Sequence, residues 1–112
     1  MDLMQQLEAL KDDLMQSVRL LRPNGKALAE AERDYKIRLR QEALKLRAED
    51  MPVTLIQQIV YGVEDVAELR YKRDIAQTRY EANKEAINVF KLQIRSLESQ
   101  IQREWNSGGT GD

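Results

Sequence analysis

A chain of 112 residues in which 33% are charged and 5% aromatic, with five glycines and two prolines, has the composition of long helices and not of a β-rich domain. It contains no cysteine and no histidine, which excludes disulfides, the common zinc sites and thiolate or imidazole catalysis, so no catalytic, cofactor-binding or metal-binding residue is assigned. Eighteen basic residues against 19 acidic ones leave a net charge of −1, which argues against a strongly electrostatic DNA binder but leaves room for local basic patches.

The N-terminal stretch MDLMQQLEALKDD is acidic and periodic, unlike a basic leader, and no segment approaches the roughly 20 apolar residues that span a bilayer. The sequence therefore predicts a soluble protein of the cytoplasm with no membrane partner. From residue 2 to 22, Leu3, Leu7, Leu10, Leu14 and Leu21 share a heptad seam with Ser17, widened by Met4, Met15 and Val18. This predicts an amphipathic helix ending at RPNGK, where Pro23 interrupts the ladder and Asn24-Gly25 has turn chemistry.

A second helix is expected from about 26 to 49. Leu28, Ala31, Tyr35, Leu39, Ala43 and Leu46 fall on one side, and Ile37, Leu44, Ala48 and Met51 on roughly the other. Two stripes suggest packing on both sides. The uncharged run MPVTLIQQIVYG follows. Pro52 disfavours helix in the residue before it, Thr54 and Gln57 have capping-box form, and Gly62 is suited to a left-handed close. A short helix over 54–61 is expected as an elbow that reverses the chain. Helix–Gly turn–helix also has the outline of a DNA-reading motif, but the continuous length of the next helix and its Asp65 and Glu68 argue against that use.

The third helix, expected over 63–105, carries a 3–4 periodicity from Val66 through Leu69, Arg73, Ala76, Tyr80, Asn83, Ile87, Phe90, Ile94, Leu97 and Ile101. At 1.5 Å per residue it would be on the order of 60 Å long, too long for its own chain to cover in a globular shape. Tyr80, Asn83, Ile87, Phe90, Ile94, Leu97 and Ile101 are assigned to an oligomer seam. Tyr71, Ile75, Ala82, Val89 and Leu92 form a second, offset stripe. Residues 106–112 are expected to be a disordered polar tail.

Two basic runs, Arg38, Arg40, Lys45, Arg47 and Arg70, Lys72, Arg73, Arg79, would approach each other if the third helix folds back at the elbow. They could build a phosphate or nucleotide site with Tyr71 or Tyr80 for stacking, or be ordinary solvated charge paired with Glu42, Glu49, Glu68 and Asp74. Tyr61, Arg70, Lys72, Arg73, Arg40 and Arg47 are the candidate partner or phosphate contacts, Tyr61 alternatively just packing the bend. Arg73 and Asn83 are polar groups in an apolar seam, suited to setting register or oligomer state, Arg73 by pairing with an inward acid and Asn83 by bonding its symmetry mate; they could also line a pocket. Glu81 and Glu85 lack the histidines that a di-metal bundle needs.

The segments PVTLI, YG, RYKRD, EAINVFKLQIR and REW, spread over Tyr35 to Trp105, resemble small helical proteins of unassigned function from phages and prophages of Gram-positive bacteria. The resemblance implies an accessory protein acting by binding inside a bacterial host. The resulting expectation is an all-α oligomer in one domain, 1–105: an N-terminal helix plus an antiparallel hairpin of two long helices joined by the elbow. No catalysis is expected of it. Its expected partners are itself and a host or phage protein that it inhibits or scaffolds, with nucleic acid or a nucleotide as the alternative.

Overall fold

The computed structural model describes residues 1–110, with side chains as far as Gly108. Its elements are all helical: α1 (Leu3–Ala48), α2 (Val53–Ile59), a 3-10 turn (Val60–Gly62) and α3 (Glu64–Thr110). Among the described residues no helix is long and apolar enough to cross a membrane.

A reciprocal cap starts α1. The amide of Gln5 donates to the Asp2 carboxylate at 2.8 Å, and the Asp2 amide donates to the Gln5 side-chain oxygen at 3.1 Å. The expected break at Pro23 does not occur, and α1 runs through it. A proline inside a helix removes one backbone bond and costs about 3 kcal/mol. Against that stands a heptad series that keeps its phase across the proline: Leu21, Asn24, Leu28, Ala31, Tyr35, Arg38 and Glu42 are all buried or half-buried. Burial of a single large apolar side chain is worth about 1.5–3 kcal/mol, so losing this register would cost more than keeping the proline. Gly25 is correspondingly not a turn residue, since no glycine among the described residues has positive φ. A Cβ there would lie 3.3 Å from the Tyr80 ring, so glycine gives that ring its room.

The end of α1 is where the left-handed residue is found, and it is Asp50, with φ 65°. The Asp50 amide donates to the Arg47 carbonyl at 3.0 Å and the Met51 amide to the Leu46 carbonyl at 3.2 Å. These two bonds make a Schellman close, with Pro52 preventing continuation. The anticipated Thr54–Gln57 capping box is absent: α2 begins at Val53 behind Pro52, without a side-chain cap. Pro52 instead offers its carbonyl to the amides of Leu55 and Ile56. Nor is Gly62 left-handed. The 3-10 turn ends there and Val63 is extended, which re-aims the chain without a positive φ.

Glu64 and Asp65 occupy the first turn of α3, where negative charge meets the helix dipole. The helix continues through Asn106 to Thr110, so the tail expected to be disordered is helical over that stretch; Gly111 and Asp112 lie outside the described residues. The Gln102 side chain donates to that of Asn106 at 3.2 Å, an i,i+4 bond that helps carry the helix on.

The chain divides into two compact units. The first joins Met1–Arg22 to α3 from Glu81 onward. Its buried residues are Leu7, Asn83, Ile87 and Leu97. Ser17 meets Asn83, Leu10 shares a hollow with Leu97, and Leu3 shares one with Ile101, so the two segments run antiparallel. The second unit, Pro23–Tyr80, contains the elbow, with Tyr35, Glu42, Ile56, Val60 and Val66 buried. Here Gly25 faces Tyr80, Glu32 faces Arg73 and Arg38 faces Asp65, again antiparallel.

Candidate functional site at the elbow

Of the six sequence-derived contact residues, Arg73 is committed to the core of its own unit. Its guanidinium bonds Glu32 at 2.9 Å and Asp74 at 2.7 Å and lies 4.9 Å from the centre of the Tyr35 ring. The Glu32 bond holds the Arg73 pKa above its ordinary value, and the Arg73 bond pulls the Glu32 carboxyl below its own. This is the inward acid that a seam arginine calls for. Arg73 also lines an open hollow of about 500 Å³ with Gly25, Leu28, Ala29, Glu32 and Gln77, where Glu32 and Asp74 already answer its charge.

A second ion cluster closes the elbow. Arg38 bridges Glu42 and Asp65, each at 3.1 Å, tying α1 to the first turn of α3. Glu42, expected as a surface counter-ion, does pair with the basic run, but it is buried, with Lys45 at 4.0 Å as its other partner.

The remaining contact residues separate. Tyr61 is 45% exposed and carries Arg70 at 5.5 Å from its ring centre. Beside it, Tyr61, Gln57, Val60 and Ile56 from the elbow and Lys36, Leu39, Arg40 and Ala43 from α1 line an open hollow of about 400 Å³. Arg40 and Tyr61 are therefore brought together, with Lys36 added to them. Lys72 and Arg47 are exposed and lie outside this hollow. What the hollow offers is cationic and aromatic recognition over an apolar floor, with the Arg40 guanidinium, the Lys36 ammonium that Glu32 pairs at 3.3 Å, and one accessible ring.

No protein-family model, curated protein or solved structure matches this chain.

The residues assigned to an oligomer seam lie on the side of α3 that packs against α1, within each unit. Asn83, Ile87 and Leu97 are buried, while Tyr80, Phe90, Ile94 and Ile101 are half-buried. Asn83 donates to the Ser17 carbonyl at 2.8 Å, in place of the expected symmetry mate. The offset stripe is the outward one: Tyr71, Ile75, Val89 and Leu92 are all exposed, as are Ile37 and Leu44 of the second stripe of α1.

Sequence reasoning missed Lys36, Glu32 and the role of the Ser17 carbonyl as partner of Asn83. Glu32 could have been found from its place four residues after Leu28 and three before Tyr35, on the inner face. Ser17 was visible as the one small polar position in the leucine seam. Lys36 becomes part of a site only because α2 lies across α1.

Proposed function

We propose that this chain is a non-enzymatic accessory protein of a phage or prophage, acting in the bacterial cytoplasm by protein–protein binding. In this reading it inhibits or scaffolds a host or phage factor, a counter-defence role included. Its antiparallel helices associate in coiled-coil fashion into a homodimer or higher oligomer. The likeness of PVTLI, RYKRD and EAINVFKLQIR to small Gram-positive phage proteins supports the setting.

One observation carries the binding mode. On α3, Tyr71 and Ile75 of the second unit remain 61 and 41% exposed, and Val89 and Leu92 of the first remain 40 and 62% exposed, each pair at a heptad's 3–4 spacing. They occupy the outward side of a helix whose inner seam is already covered. A monomer gains nothing from a second regular apolar stripe, whereas a contact surface does. Scattered exposed apolar residues need no explanation, but a stripe in helical register does.

Size-exclusion chromatography with light scattering tests the reading on the intact protein at micromolar concentration. A dimer or larger species is expected, shifting to monomer in Val89→Lys with Leu92→Glu. A wild-type monomer across that range would overturn it.

A further inference from the structure

Basic residues recur along α1 at every seventh position of the second unit: Lys26, Arg33, Arg40 and Arg47. Seven residues make almost two turns of α-helix, so these four side chains lie along one slowly drifting line of about 32 Å at 1.5 Å per residue. All four are exposed. Lys36, one turn from Arg33 and Arg40, lies on the same side, with its ammonium paired to Glu32 at 3.3 Å.

The acids of this segment are largely placed elsewhere. Glu42 is buried with Arg38, and Glu32 is shared between Arg73 at 2.9 Å and Lys36 at 3.3 Å, which leaves Arg40 and Arg47 as the cations of this face not answered by an acid among the described residues. Glu30 and Asp34 answer only the first two cations of the line, Lys26 at 3.8 Å and Arg33 at 3.0 Å. The line passes the elbow hollow at Arg40, which with Lys36 shares the lining with the half-exposed ring of Tyr61.

We infer that this face of α1, together with the hollow at Tyr61, binds single-stranded nucleic acid. Phosphates lie along Lys26, Arg33, Arg40 and Arg47, and one base enters the hollow against Tyr61. A regular row of cations fits a polyanion of repeating charge better than it fits a protein surface of mixed sign. The ring selects a single strand, because stacking on an aromatic side chain needs a base that is not already paired within a duplex. This surface is separate from the apolar stripe on α3, so the two readings stand or fall independently.

Fluorescence anisotropy of a fluorescein-labelled oligo(dT) with the intact protein tests it. Binding is expected at low salt. The logarithm of the association constant should fall linearly with that of salt, with slope near −3, from about −0.7 per phosphate neutralised over four cations. Arg40→Glu with Arg47→Glu should weaken binding at least tenfold, and the milder Arg40→Gln with Arg47→Gln should weaken it by a smaller factor. Neither arginine takes part in an ion pair among the described residues, so the helices should keep their circular dichroism. Reversing Lys91 and Arg95, which are exposed in the other unit, should change affinity less than twofold. Tyr61→Ala should weaken single-strand binding about tenfold. No anisotropy change at low salt would overturn the proposal, as would equal losses from the two charge reversals. Duplex bound as tightly as oligo(dT), with Tyr61→Ala silent, would also overturn it.

Discussion

Asn83 donates its side-chain N–H to the main-chain carbonyl of Ser17 across 2.8 Å. A helix carbonyl has a second lone pair beyond the one used in its own ladder, and the short Ser17 side chain leaves that oxygen within reach. A polar group in an apolar seam is thus satisfied inside the chain, linking α1 and α3 within one unit. Its register role is intramolecular.

Asn83→Ala should destabilise the protein by about 1 kcal/mol, the usual net worth of such a bond. Asn83→Leu should recover that loss by burying apolar surface. Neither should change the oligomeric mass, because the amide has its partner in the same chain. Urea denaturation and light scattering on both variants check this.

Pro23→Ala should stabilise the protein by up to about 3 kcal/mol, since α1 is continuous there and alanine restores the missing donor. If Pro23 instead ended a helix, the same change would be neutral or harmful. The midpoint of urea unfolding decides between these outcomes.

Asp50→Gly should stabilise by about 0.5–1 kcal/mol. Asp50 holds φ 65°, a left-handed conformation that glycine adopts without a Cβ penalty. Gly62 has negative φ and open space around its Cβ position, so Gly62→Ala should be tolerated. It would be costly if Gly62 were the left-handed residue. Thermal melts of both variants test the assignment of that conformation to Asp50.

The Glu32–Arg73 pair predicts an acid dependence. Arg73 lowers the Glu32 pKa in the folded state, so the contribution is present above the unfolded carboxylate pKa and is lost as pH falls through the depressed folded value. The Arg73 shift is upward from an already high value and has no effect in the acid range. Glu32→Gln should therefore be less stable than wild type at neutral pH, with the gap narrowing on acidification. A gap independent of pH would show that the carboxylate charge is not what stabilises the pair.

Repetition along the chain made the helices legible. Leu3, Leu7, Leu10 and Leu14, then Val66, Leu69 and Ala76, set the helical period by their spacing alone. Asp50-Met51-Pro52 marked the end of α1, and the uncharged run after it marked the elbow. Both long helices showed two apolar stripes. These features are local, because period and breakers depend on a few neighbouring residues.

Tertiary structure decided the rest, because each remaining question turned on a residue far away in sequence. Pro23 reads as a stop until the burial of Leu28 and Tyr35 on the other side of it is weighed against its cost. Gly25 reads as a turn until Tyr80 is placed against it. Arg73 reads as a phosphate contact until Glu32 claims it. The sequence by itself determined the helical period, the apolar stripes and the place of reversal; only the tertiary structure decided which stripe is covered. Periodicity gives the phase of a face, and what lies against that face depends on how the chain returns.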